Sequence, residues 1–172
     1  MKNLHLILKS LLVVILCGIS MLSFAQDPTD SIPDDPGAIS VTTLQNMKFG
    51  AFFQGTGGGT ISVSTSGSRS ANGEVTPING GITYFQAIYE IEGPPGTIIS
   101  IMNGPDATLT GSNGGSMNLR IDDSDPVSPF ITVVSPPGKT PVSIGGTLTV
   151  GSPAAAPPGS YSGTFYITFN QE

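Results

Sequence analysis

The chain has 172 residues, with 6 basic and 12 acidic side chains, one histidine, one cysteine and no tryptophan. Its acidic balance, with Lys48, Arg69, Arg120 and Lys139 scattered singly, argues against nucleic-acid binding, because neutralising a phosphate backbone takes clustered bases. His5 and Cys17 both fall in the first 25 residues, so the rest of the chain cannot build a Ser-His-Asp or Cys-His system and lacks the commonest zinc and copper ligands.

Residues 1–25 read as a signal peptide. Lys2 and Lys9 form the basic front, the Leu/Val/Ile run over 11–16 forms the apolar centre, and Ser23-Phe24-Ala25 sets small residues where a signal peptidase reads, so cleavage is expected before Gln26. The unbroken apolar run is shorter than the roughly 20 residues a membrane span needs, and no basic cluster follows it. The mature chain is therefore expected not to cross a membrane. Leu16, where a small residue would precede an acylated cysteine, argues against lipidation at Cys17. Removal of this segment leaves 147 residues with 4 bases against 12 acids, a net charge of −8. That length suits one domain, and its core is large enough to hold without disulfides.

Residues 26–37 gather Asp27, Asp30, Asp34 and Asp35 with Pro28, Pro33 and Pro36 and offer almost nothing apolar to bury, which predicts an acidic, Pro-rich linker. The domain is expected over 38–172. Gly57-Gly58-Gly59, Asn72-Gly73, Asn79-Gly80-Gly81, Pro94-Pro95-Gly96, Asn103-Gly104-Pro105, Asn113-Gly114-Gly115, Pro136-Pro137-Gly138 and Pro157-Pro158-Gly159 predict turns. Runs rich in β-branched and aromatic residues at 60–65, 83–91, 97–102, 116–121, 130–134 and 142–150 predict strands between them. The closing run, 160–170, alternates Tyr161, Gly163, Phe165, Ile167 and Phe169 against Ser162, Thr164, Tyr166 and Thr168, the period of a half-buried strand. No sustained helical period occurs after residue 25, so the fold class is all-β, a sandwich or barrel.

Candidate chemistry is sparse along these elements. Gly55-Thr56-Gly57-Gly58-Gly59-Thr60 lacks the third glycine of a dinucleotide fingerprint and leads into a strand, which makes it a flexible connection. Glu90 and Glu92 share one face of one strand, whereas glycoside hydrolysis needs two carboxylates facing each other across the bond. Tyr84 and Tyr166, the tyrosines available as sugar platforms, stand on separate strands. Asp122, Asp123 and Asp125, with Ser124, form the densest oxygen cluster and are the calcium candidates, although the EF-hand pattern is absent and a solvated turn explains them as well. Gly138-Lys139-Thr140 lacks the earlier glycine of a phosphate-binding loop and reads as a turn. Neither Lys48 nor Lys139 stands in a Ser-x-x-Lys setting. No cofactor is implied, calcium aside, and the chain is not expected to be an enzyme.

Phe49-Gly50, Gly59-Thr60-Ile61-Ser62-Val63-Ser64, Gly67, Ser70, Gly145-Gly146-Thr147-Leu148-Thr149-Val150 and the run from Gly159 through Phe169 follow one another in an order that resembles an exported bacterial family, domain of unknown function 4402, associated with fimbrial and spore-coat-U-like subunits. The resemblance implies an immunoglobulin-like or pilin-like antiparallel β-sandwich at the cell surface and brings no catalytic residues. Pilins that assemble by strand donation end in an alternating strand, which Gly159 and Phe169 fit loosely, while Gln171 stands where that pattern has a tyrosine. On that reading the assembly residues are Tyr161, Phe165, Ile167 and Phe169, and Ile39 and Val41 in residues 38–44, the segment to be donated to a neighbour. The alternative is that 38–44 pairs within its own domain.

The leading expectation is a secreted or cell-surface structural or adhesive subunit whose partner is a protein, itself or a fimbrial-type subunit. The alternative is a self-contained binding module for a polysaccharide or calcium-dependent ligand, with the loops at 103–106 and 122–125 as its rim.

Overall fold

The computed structural model describes residues 37–172; the segment expected as a signal peptide, 1–25, and residues 26–36 of the expected linker, 26–37, lie outside the described residues. Eleven strands are described: β1 (Ser40–Gln45), β2 (Phe52–Val63), β3 (Arg69–Pro77), β4 (Ala87–Glu92), β5 (Ile98–Asn103), β6 (Ala107–Gly111), β7 (Ser116–Asp125), β8 (Phe130–Ile131), β9 (Thr140–Val150), β10 (Tyr161–Ser162) and β11 (Ile167–Gln171). All pair antiparallel. They form a sandwich-like all-β fold of two sheets: a large curled one in the order β1-β4-β9-β7-β6-β10, with β2 joining β9 and β3 joining β2, and a small one in the order β11-β5-β8.

Alternation decides which face each strand buries. In β7 Met117, Leu119 and Ile121 are buried while Asn118 and Arg120 between them are exposed, as a period of two requires. The largest fully buried side chains, Ile61, Val63, Ile91, Ile99, Val142, Ile144 and Val150, are β-branched and suit a pleated surface. β9 is the centre of the large sheet. One side pairs with β7, while the other pairs with β4 through residues 140–144 and with β2 through 146–150. The change of partner falls at Gly145 and Gly146, where a Cβ would stand 3.0 Å from the Val63 carbonyl oxygen and 2.7 Å from Met47 Sδ.

The small sheet packs on the large one through Tyr89 of β4 and Phe169 of β11, whose rings lie 5.3 Å apart and tilted by 58°. Thr132 is buried, but its hydroxyl donates to the Pro94 carbonyl oxygen at 2.6 Å and accepts from the Thr97 N–H at 3.2 Å, so its burial carries no unmet polar group. Arg69 fastens the approach to β2. Its guanidinium donates to the carbonyl oxygens of Phe49, Ala51 and Ile78 and to Asn79 Oδ1, and it lies 4.2 Å from the centre of the Tyr84 ring.

Several predicted boundaries move. The closing run is divided: β10 pairs with β6 in the large sheet, β11 pairs with β5 in the small one, and residues 163–166 cross between them. Its side-chain alternation continues through the crossing, which is why it reads as one strand. Gly57-Gly58-Gly59 and Asn72-Gly73 lie inside β2 and β3 instead of forming turns, and Gly59 pairs with Gly73. Residues 55–58 bulge around Glu74, whose carboxylate accepts from the Gly57 N–H at 2.7 Å. Gly58 has φ +68°, and a Cβ there would collide with the Val150 carbonyl oxygen. The glycines serve close backbone approach, and the hairpin itself turns at 64–68 with Gly67 at φ +78°. Residues 130–134 contribute only Phe130–Ile131, and β4 begins at Ala87 instead of residue 83. β3 escapes prediction because its edge position asks few of its side chains to be apolar, Val75 being the one it fully buries.

Two outcomes follow. Arg69→Ala removes charge-assisted bonds to three carbonyl oxygens and should cost about 3 kcal/mol in urea denaturation, with Arg69→Lys recovering only part of it. Burial raises the pKa of the Tyr89 phenol above its ordinary value of about 10. The stability tied to that neutral phenol is full below the unfolded pKa and is lost as pH rises through the folded one, so alkaline unfolding should begin at lower pH in the parent than in Tyr89→Phe.

Candidate assembly site

The chain from β1 into the start of β2 buries Phe49 and half-buries Met47 and Phe52 against the core. Across from it, residues 158–165 bring in Tyr161 and Phe165. The segment can lie there because Gly163 passes against β6, where a Cβ would stand 2.6 Å from the Thr108 carbonyl oxygen. Tyr161 donates its hydroxyl to the Pro157 carbonyl oxygen at 2.6 Å, and Gln54 Nε2 donates to Ala156 at 2.7 Å, which ties the two walls at one end. Between the walls runs a groove of about 860 Å³ whose lining includes the core residues Leu109, Met117, Leu119 and Leu148. Phe53 and Ile82, 69% and 52% exposed, stand among the residues that line it. The groove reaches down to core residues that are themselves buried.

A second surface is the edge at β1. Residues 38–44 do pair within their own domain: β1 runs antiparallel to β4, with Val41 opposite Ile91 and a register shift between Thr43 and Gln45. The ladder resumes at Lys48, which exchanges two backbone bonds of 2.8 Å with Phe85. Ile39 is half-buried against the core, Val41 is 40% exposed and Leu44 61% exposed. No strand pairs with the outer side of β1 among the described residues.

The four aromatic and aliphatic residues of the closing run thus separate. Tyr161 and Phe165 line the groove, whereas Ile167 and Phe169 belong to β11 and pack on the core beneath β4. Tyr84 is taken by Arg69, and Tyr166 lies exposed beyond the groove, so these two do not form a joint platform. Glu90 accepts from Lys139 at 3.2 Å.

The aspartates stand on β7. Asp122 is held by Arg120 Nε at 2.9 Å and by Thr147 Oγ1 at 2.5 Å, and Ser62 Oγ lies 2.8 Å from the same threonine hydroxyl. Asn103 Nδ2 donates to the Asp122 carbonyl oxygen at 3.0 Å. These residues, with Asp123, Ser64 and Ser70, line a polar depression of about 680 Å³. Asp125 lies in the ladder opposite Ser143 and does not line it. Among the described residues no three His, Cys, Asp or Glu side chains come together in a way that could hold a metal ion. Sequence alternation alone puts Ser62, Arg120 and Thr147 on outer faces, but only the register, Ser62 opposite Thr147 opposite Arg120, makes them neighbours.

The family model described as Domain of unknown function (DUF4402) matches residues 39–170, and the chain belongs to that family. No curated protein and no solved structure matches it.

Thr147→Val keeps the shape of the side chain but strips hydroxyl partners from Asp122 and Ser62; it should lower stability by about 1–2 kcal/mol in urea denaturation, less in an Asp122→Asn background.

Proposed function

We propose that this chain works outside the cell as a structural or adhesive subunit, through protein contact instead of turnover. The open apolar groove carries this reading. Its apolar lining, with Phe53 and Ile82 exposed beside the buried Leu109, Met117, Leu119 and Leu148, lies among polar groups such as Lys48, Gln54, Thr83 and Ser160, and suits an added strand of alternating apolar and polar residues from a neighbouring subunit. A contiguous apolar surface rimmed by polar residues marks an interaction site in a protein this acidic. No helix among the described residues is long and apolar enough to cross a membrane. In residues 26–172, light scattering should show a molar mass that rises with concentration beyond a dimer, and Phe53→Glu with Ile82→Glu should suppress that rise without moving the denaturation midpoint. Groove variants that assemble like the parent would sink the reading.

A second reading rests on the polar depression, where Asn103, Asp122 and Asp123 meet Ser62, Ser70, Arg120 and Thr147. Its hydroxyl, amide and charged groups suit a hydroxyl-rich ligand such as a polysaccharide. Retention of the chain on immobilised polysaccharide, abolished by Arg120→Ala, is the result this reading expects.

A further inference from the structure

The small sheet is patterned for burial on both of its faces and is covered on one. A strand with one face in solvent alternates apolar with polar residues, as β7 does, whereas a strand buried on both faces is apolar at successive positions. β5 opens Ile98-Ile99-Ser100-Ile101-Met102, apolar at four positions of five, and the chain through β8 reads Phe130-Ile131-Thr132-Val133. Ile99, Ile101, Phe130 and Thr132 turn inward. The residues between them turn outward. Ile98 and Ile131 stand opposite each other in the ladder, and the Thr132 N–H extends the pairing toward Val133 by donating to the Thr97 carbonyl oxygen at 2.9 Å. At the other end Ser128 Oγ accepts from the Ile101 N–H at 2.7 Å, which brings Val127 toward Met102. Ile98, Met102, Val127, Ile131 and Val133 are between 42% and 78% exposed. More large apolar side chains lie open here than around the groove or along β1.

We propose that this face packs on the same face of a second copy, sheet on sheet, about a two-fold axis. It rests on the assembly reading only in taking another copy as the partner, and it uses a different surface from the groove. Area and charge select the occupant. Five side chains exposed to this degree present on the order of 500 Å² of apolar surface, the size of patch that marks an interaction site. Two copies would together bury about 1,000 Å², which reaches the lower bound of a specific interface, so the pair should form and part with concentration. The strands β5, β8 and β11 contain no charged residue, and Glu172, just after β11, accepts from Ser100 Oγ at 2.6 Å. A chain this acidic repels its own copies over much of its surface, and an uncharged face is where two of them can meet. The same lack of Lys and Arg leaves nothing to hold the face on anionic lipid. Thr168 and Asn170 of β11, opposite Met102 and Ser100, give the apolar stripe a polar flank, so the contact is centred on β5 and β8.

The test is sedimentation equilibrium of residues 26–172 over a wide concentration range, with urea denaturation of each variant. The groove variant, Phe53→Glu with Ile82→Glu, should still pass from monomer to dimer and stop there. Adding Ile131→Glu with Val133→Glu should weaken that dimer at least tenfold without moving the denaturation midpoint. A thiol readout stands apart from those glutamates: residues 26–172 hold no cysteine, so Val133→Cys introduces the one thiol. It should lose reactivity toward a water-soluble thiol reagent as concentration rises, while Val41→Cys on β1 keeps its own. A dimer indifferent to the two glutamates, or a Val133→Cys thiol equally reactive at all concentrations, would overturn the pairing even if the glutamate variant did not fold. A groove variant that stays monomeric while the parent associates would assign self-association to the groove, overturning the face pairing and leaving the assembly reading in place. A parent monomeric at every concentration would remove both. Protection of the Val133→Cys thiol by phosphatidylcholine vesicles in a chain that stays monomeric would give the face to lipid and overturn the pairing. Dimers lost to the two glutamates alone support the pairing whether or not the parent forms larger assemblies.

Discussion

The large sheet depends on the two hydrogen-bonded sides of β9. β2, β4 and β7 all pair directly with that strand, and β1, β3, β6 and β10 reach it through them. An eleven-residue strand can serve two neighbours on one side only if it changes partner partway, and Gly145-Gly146 permits this by admitting Val63, Met47 and Leu119 where a side chain would stand. On either side of the glycines Val142, Ile144, Leu148 and Val150 are buried, so backbone pairing and core packing reinforce each other along one strand. With no disulfide available after residue 25, this shared ladder and its core are what hold the domain together.

The open surfaces follow from how the second layer covers this sheet. The three strands β5, β8 and β11 give the small sheet, which meets β4 through the Tyr89–Phe169 contact. Elsewhere the cover consists of the segment from residue 47 into the start of β2 and of residues 158–165, which include the two-residue β10, and a groove with core residues in its lining remains between them. The edge of β1 is open in a different sense: it pairs with β4 on one side, with a register shift between Thr43 and Gln45, and no strand pairs with its other side among the described residues. Both surfaces use the chemistry of the fold itself, backbone pairing and apolar burial, and neither asks for a catalytic group.

The outer face of the large sheet tells the same story in polar terms. Ser62, Thr147 and Arg120 fall in one row across β2, β9 and β7, and Asp122 joins them through the Thr147 hydroxyl. The acidic cluster that reads as a calcium candidate thus has one member held by an arginine and a threonine and another, Asp125, in the ladder away from the depression. Likewise the glycine run 55–59 closes on Glu74, a carboxylate of the chain itself, and on the backbone of β9. In each case the residue types are the same as those of a ligand site, and their partners lie within the domain.

Composition and alternation determined a good deal by themselves: an all-β class, the cores of β5, β7 and β9, and the outward and inward faces of residues 160–170. These are local properties, since the period of two and the preference of β-branched residues for a pleated surface need no knowledge of distant neighbours. The tertiary structure alone decided that Gly57-Gly58-Gly59 and Asn72-Gly73 are opposed irregularities within one hairpin, because a glycine required by close backbone approach and one required by a turn look alike in sequence. It decided that Tyr161 and Ile167 belong to different sheets, because alternation survives a crossing while hydrogen-bond partners do not. It also decided that β1 stays with its own β4 and leaves its far side open, since partner and register depend on residues some 50 positions away that no local pattern encodes.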